Sequence, residues 1–321
     1  MTTQSVPKTS PQVRPSVAKP ARLARFLAGP WPWMLPALFM LMLFRLYPIL
    51  SQFYYAMTDM RVQNLQEFNF VGLDNYRFLL EDQFFIDTLL FTFFFTFAGV
   101  LLQWVIGFGL ALLMDQPLQG RTFFRLGIMA SWVISSLIVG YTWRLMLHEG
   151  NAGVLSAWLM ELGYEDPVRW LSAPDNAQYS VIAVNVWRST AYTMVFMLAG
   201  LQTIPRDLLE AATVDGANLW QRLVKIKIPY MRQLIAINVV FITIATFNVY
   251  EQILVLTRGG PGRATETVSL KMYETAFGSL SSGSLGLIGR GAAMGNIMFL
   301  FTLVFALAYL WLTLYRKGDE A

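Results

Sequence analysis

Long apolar runs separated by polar stretches set the organisation of this chain. Six runs reach the roughly 20 residues that a helix needs to cross the hydrocarbon core of a bilayer. They cover residues 33–57, 88–113, 126–147, 179–201, 234–256 and 292–315. Lipid offers backbone N–H and C=O groups no partners, so each run is expected to be helical. None alternates apolar and polar positions as a barrel strand would. The pattern therefore predicts an all-α membrane protein with six transmembrane helices. Residues 1–30 contain Pro and Ser, five basic residues (Lys8, Arg14, Lys19, Arg22 and Arg25) and no acid. They read as a basic, disordered cytoplasmic tail, and residues 31–321 as one transmembrane domain. The first apolar run begins near Trp31 and continues too long for the h-region of a cleavable signal peptide.

The polar stretches give orientation. With both termini in the cytoplasm, 14 of the 24 Lys and Arg residues fall in inside segments and 7 in outside segments. That is the bias expected of an inserted helical protein. Trp31, Trp33, Trp143 and Trp311 lie near span ends, where amphipathic rings prefer the headgroup region. Charged residues make up 14% of the 321 residues, against about a quarter in soluble domains. The basic pI of about 9.3 does not indicate nucleic acid as a partner, because the basic residues are spread between apolar runs instead of forming a patch. There is no cysteine and one histidine, His148. A disulfide framework, a thiol nucleophile and a cysteine or histidine metal cluster are thereby excluded.

The segment 202–233, between the fourth and fifth runs, is the most informative. It reads QTIPRDLLEAATVDGANLWQRLVKIKIPYMRQ. Pro205 suits a helix start, and residues 206–214 read as a short helix. Gly216 can take positive φ at that helix's end. Asn218 can cap a second helix, with Gln221 three residues on as a capping box. Leu219, Leu223 and Ile226 recur at helical spacing, and Pro229 is expected to stop the second helix. The small side chains of Ala211 and Ala212 allow close approach of a partner, and Glu210 can pair with a basic group on it. An ordinary amphipathic hairpin lying on the membrane is the plainer reading of the same residues.

This stretch resembles the EAA loop of ABC importer permeases, with Glu210, Ala211, Ala212, Asp215, Gly216, Ile226, Ile228 and Pro229 at the matching places. Further elements resemble the carbohydrate branch of that family, which contains the maltose and glycerol-phosphate permeases. They are Leu46-Tyr47-Pro48-Ile49, Val71-Gly72-Leu73-Asp74-Asn75-Tyr76, Leu198-Ala199-Gly200-Leu201-Gln202, Leu256-Thr257-Arg258-Gly259-Gly260-Pro261, and the later Thr265, Thr267, Tyr273 and Phe277. Two features depart from the pattern: a long Gly/Ser-rich stretch at 278–293, and Glu251 where an aspartate is usual.

The resemblance implies a type I ABC importer permease fold. It also implies that the loop 202–233 is a coupling element that docks on a separate ATPase through Glu210, Ala211, Ala212, Asp215, Gly216 and Pro229, and that this chain has no cofactor, ATP and Mg being held by the ATPase pair. The implied partners are a second, homologous permease, an ATP-binding cassette dimer, an extracytoplasmic solute-binding protein and a sugar. The implied location is the bacterial inner membrane.

Charged residues inside a bilayer are costly and need a reason. Arg144 reads as snorkelling toward an interface, and Arg45 as helix–helix pairing with a partner subunit. Arg188 and Glu251 fall in the outer halves of the fourth and fifth runs, among Asn185, Tyr192, Asn248 and Tyr250. Two readings stand. One is a structural Arg–Glu pair with interhelical hydrogen bonds. The other is a pathway in which amides and carboxylates hold hydroxyls while rings cover a sugar's apolar face. No phosphate-binding GxxxxGK[ST] loop occurs, so ATP handling belongs elsewhere. A secondary transporter would need inverted repeats, and an intramembrane enzyme paired acids or a metal set; neither pattern is found. An importer of a non-sugar solute is the remaining alternative.

Overall fold

The computed structural model describes residues 31–164, 166, 168–278 and 286–315. The expected tail at 1–30 lies outside the described residues, as does 279–285 within the Gly/Ser-rich stretch. Among the described residues, the regular elements are helical. They are α1 (Pro32–Tyr55), α2 (Asp74–Glu81), α3 (Gln83–Met114), α4 (Arg121–Val133), α5 (Ser136–Met146), α6 (Val154–Glu161), α7 (Pro174–Leu201), α8 (Arg206–Val214), α9 (Leu219–Phe247), α10 (Glu251–Leu256), α11 (Val268–Phe277) and α12 (Ile288–Tyr315). Helices α1, α3, α7, α9 and α12 are long and apolar enough to cross a membrane. The pair α4–α5 qualifies only jointly, bent by 100° at the break between them. The described residues thus hold five spans, or six if the bent pair is one. The chain divides into two compact units, Met1–Ser51 and Gln52–Ala321.

Several expected boundaries move. The third run is broken at Ile134 and Ser135, both extended with ψ near 137–139°. The fourth begins at Pro174, which occupies the first turn of α7. The fifth ends at Phe247, and Glu251 opens a separate short helix. The expected stop at Pro229 does not occur, since α9 runs through it from Leu219. A proline ring normally clashes with the carbonyl four residues back and leaves that acceptor unpaired. Here a π turn at Leu223–Lys227 immediately precedes it, with Ile228 N–H donating to Leu223 O. The wider turn displaces the carbonyls that the ring would strike. The same device precedes Pro48, where Met42–Leu46 is a π turn closed by Tyr47 N–H on Met42 O.

Two features of α3 and α7 fix the centre of the second unit. Gln103 Nε2 donates to Ser189 O at 3.0 Å and to Thr193 Oγ1 at 3.1 Å. A Cβ placed on Gly99 would lie 3.5 Å from Asn185 Nδ2, and one on Gly107 only 2.6 Å from Thr193 Cβ. Contacts thus ascend together along both helices, so α3 and α7 pack parallel. Gly99 and Gly107, on either side of Gln103 along one face of α3, let the backbones approach, as lipid-embedded helices require in place of a hydrophobic driving force. Helix α9 runs antiparallel to α3: Gly99 faces Thr246, and Lys227 pairs with Asp115 at 3.1 Å. That ion pair is largely shielded, with side-chain exposures of 15% and 25%. Asp115→Asn is expected to lower stability by about 1–3 kcal/mol, between the exposed and buried limits. Thermal unfolding in detergent reads this directly.

At the opposite end, the Gly-Leu-Asp-Asn-Tyr element has a structural role. Asn75 Nδ2 donates to Ala56 O at 2.9 Å and Thr58 O at 2.8 Å. Tyr76 OH accepts from Asn296 Nδ2 at 2.7 Å, and Asn296 Oδ1 accepts from Gln52 at 2.9 Å. The connection between α1 and α2 is thereby tied to α12. Nearby, Asn69 holds the exposed Asp59 carboxyl below the usual carboxylate range through its backbone N–H and then its side-chain amide.

Candidate functional site

The segment that resembles an EAA loop folds into α8 and the first turn of α9. Pro205 stands at the N-cap position of α8 without a side-chain hydrogen bond, and none of that helix's residues is buried. Its end is a Schellman motif: Ala217 N–H donates to Ala212 O at 2.9 Å and Gly216 N–H to Thr213 O at 3.1 Å. Such closure needs a left-handed residue, which Gly216 supplies at φ +78°. The expected capping box forms in full. Gln221 N–H donates to Asn218 Oδ1 at 2.8 Å, and Asn218 N–H to Gln221 Oε1 at 2.9 Å. Arg222 Nη1 then donates to Thr213 Oγ1 at 2.8 Å and locks the two helices together. Leu209, Leu223 and Ile228 pack beneath, against the core cluster around Ile204, Leu201 and Met231.

The upper surface of this hairpin faces outward. Glu210, Ala211, Asp215, Gly216 and Pro229 are exposed, and Ala212 is half-buried. Beside them stand Val214, Leu219 and Trp220, with 88%, 75% and 70% of their surface exposed. Leu219 was expected on the inner apolar face with Leu223 and Ile226, but only the latter two turn inward. Val214, Leu219 and Trp220 make an exposed apolar knob, of which pattern reading singled out neither Val214 nor Trp220. A tryptophan at the first turn of an interhelical hairpin, outside any apolar run, was the available signal.

The second set lies around α7. Helix α7 starts earlier than expected, at Pro174, so Arg188 lies about 21 Å along it at 1.5 Å per residue, near the middle of the helix. Arg188 is half-buried and its Nε has no hydrogen-bond partner. Glu251 is exposed at the start of α10 and forms no ion pair with Arg188 within 4.0 Å. Asn248 is exposed just after α9, bonded to Ile244 O at 2.7 Å. Tyr192 is half-buried, with Trp132 and Phe196 on either side at 5.7 and 6.1 Å. Tyr250 is half-buried against Tyr273. Asn185 is buried inside the bundle beside Gly99, with Nδ2 unpaired. Ser131 Oγ reaches Arg188 O at 3.5 Å, which places the α4 end, just before the break, beside this residue. Orphaned polar atoms and non-helical backbone at membrane depth are tolerated where they line a wet cavity or meet another protein surface.

A group of at least three His, Cys, Asp or Glu residues able to hold a metal is absent among the described residues. Helix α11 carries charge of a different kind. Lys271 lies 3.6 Å from Asp82, and burial pulls its ammonium below the usual lysine range, with Glu266 opposing that shift. Glu266 in turn accepts from Arg263 at 2.7 Å and from Thr88 at 3.0 Å.

No family model matches the chain. Individual relatives do. It is 32% identical over 283 residues to the trehalose/maltose transport system permease protein MalF of Thermococcus litoralis, covering 88% of this chain and 92% of that one. It is 30% identical over 303 residues to the probable starch degradation products transport system permease protein AmyD of Thermoanaerobacterium thermosulfurigenes, covering 93% and 99%. In fold it is similar to a chain of a bacterial ABC transporter involved in the import of alginate, with a TM-score of 0.76, 22% identity, and coverage of 91% and 98%. Near-complete coverage at this level of identity, together with the shared helical architecture, places the chain in the carbohydrate branch of the ABC importer permeases, as an integral multi-pass membrane subunit and not an ATPase.

Proposed function

We propose that this chain is one of two permease subunits of an ATP-driven importer that moves a sugar from an extracytoplasmic binding protein across the cytoplasmic membrane. The observation that carries this is the hairpin of α8 and the start of α9, closed by a Schellman motif and a capping box and presenting Glu210 and an apolar knob outward. It serves as the coupling element on which an ATPase dimer acts. Relatives named for trehalose, maltose and starch products support the sugar class. A related transporter is known in complex with an alginate-loaded periplasmic protein, which supports the binding-protein partner.

Parallel packing of α3 and α7 supports six crossings, and the Lys and Arg bias of the polar stretches supports both termini inside. Two parallel spans require the intervening chain to return across the membrane, and α4–α5 is the stretch available to do so. The pathway in this reading runs along the open side of α7, past Arg188, Tyr192, Asn248, Tyr250 and Glu251, with Asn185 supporting it from within the bundle. The EAA residues Ala211, Ala212, Asp215, Gly216 and Pro229 shape the contact with the ATPase, which holds ATP and Mg. The chain then comprises a basic tail at 1–30 and a transmembrane domain at 31–321.

The test is uptake into proteoliposomes containing the complete transporter and its binding protein. Trehalose, maltose or maltotriose is expected to accumulate only with internal ATP. ATP-independent uptake, or none of these sugars taken up, overturns the reading. Asn248→Ala or Glu251→Gln is expected to cut uptake at least severalfold with assembly intact; unchanged uptake removes these positions from the pathway.

A further inference from the structure

We propose that Tyr250, Tyr273 and Phe277 form an aromatic rail along which consecutive sugar units pass from the outer mouth toward Glu251. This rests on the importer reading and the orientation given above. The ring centroids of Tyr250 and Tyr273 are 5.0 Å apart with planes inclined by 26°. Those of Tyr273 and Phe277 are 5.4 Å apart and inclined by 47°. Tyr273 and Phe277 are four residues apart on α11 and so share one face of that helix. The three rings make a ladder, each step comparable with the length of one sugar unit.

Packing alone does not account for this ladder. A ring used only as core filler is buried, yet Phe277 leaves 67% of its surface exposed, and the two tyrosines are half-buried. Polar groups stand where the ladder ends. Glu251 follows Tyr250 directly, and Asn248 precedes it by two residues; both are exposed. A pyranose presents an apolar C–H face and a rim of hydroxyls. Stacked rings suit the face, while a carboxylate and an amide suit the rim.

The support beneath the rail is rigid. Thr267 caps α11 by accepting from Leu270 N–H, Ser269 Oγ donates to Phe247 O at 2.8 Å, and Lys271 pairs with Asp82. Helix α11 is therefore tied to the ends of both α9 and α3. The ladder spans more than one ring, so it acts on disaccharides and longer chains more strongly than on a single sugar.

The test uses the complete transporter in proteoliposomes, with maltose, maltotriose and maltopentaose as probes and KM and maximal rate measured separately. Tyr273→Ala and Phe277→Ala are expected to raise KM for maltopentaose about three- to tenfold, in line with the loss of one ring contact. The effect on maltose is expected to be smaller, and Tyr273→Phe and Phe277→Trp to stay near the unmodified protein. Unchanged KM at every length overturns the rail. So does a uniform fall in maximal rate with KM unchanged, which marks a purely structural role. If Tyr273→Ala fails to assemble, the exposed Phe277 carries the test. Failure of the unmodified transporter to take up any probe overturns the sugar reading itself, and the rail with it.

Discussion

Gly107→Leu will abolish accumulation of folded permease, whereas Gly109→Leu, two residues along the same helix, will leave it unchanged. A Cβ on Gly107 meets Thr193 Cβ at 2.6 Å, Thr193 Cγ2 at 2.8 Å and Thr190 O at 3.1 Å. None of these is the far end of a flexible side chain. One is a carbonyl within α7, and the others belong to a β-branched residue with little rotamer freedom in a helix. The two helices must therefore separate, and separation breaks the hydrogen bonds from Gln103 to Ser189 O and Thr193 Oγ1. Forcing methylenes into a filled interface costs about 1–3 kcal/mol where the surroundings can relax. Here both helices belong to the central packing, so the cost lies at or above that range, against a total stability of only about 5–15 kcal/mol. Gly109 has no atom within 4 Å of an added Cβ. Monodisperse yield in detergent and thermal unfolding compare the two variants; equal values would remove the close parallel seam from the account.

Trp220→Glu will leave the permease folded but release its ATPase, reducing co-purified ATPase and ATP-driven uptake at least about tenfold. Trp220 exposes 70% of its surface and makes no ring contact among the described residues, so its removal takes little from the fold. Exposed apolar knobs of this kind become the few residues that dominate an interface once a partner covers them. A carboxylate at the centre of such a contact adds a desolvation cost to the lost area. Asp207→Ala, on the polar rim, serves as the comparison and should change little. Retention of the ATPase by Trp220→Glu would reassign the knob to the lipid headgroup region.

Much of this architecture was legible in the sequence for a plain reason: spans are long, and hydropathy averages over about 20 residues. The capping box at Asn218 and Gln221 and the turn at Gly216 were legible because they depend on side chains within three residues of each other. What escaped the pattern is short and apolar. The break at Ile134–Ser135 interrupts the helix without interrupting the hydrophobic run, and so does the end of α9 just before Asn248-Val249-Tyr250. Averaging merged each break into a span, which placed Glu251 inside the fifth helix. The outward turn of Leu219 and Trp220 depends on what packs beneath them, which no periodicity within the segment records.

The π turn at Leu223–Lys227 inserts one residue into the helical repeat just where α9 leaves the hairpin. One residue corresponds to a rotation of about 100° around the axis. Leu219 and Trp220 therefore point in an azimuth that a regular helix continuing from the membrane would not give them. Helix α9 runs from Leu219 in the hairpin to Phe247, so in the importer reading a displacement of the tryptophan is carried along the span toward Asn248. The angular offset set by that one inserted residue lies between Trp220 and the rest of the span.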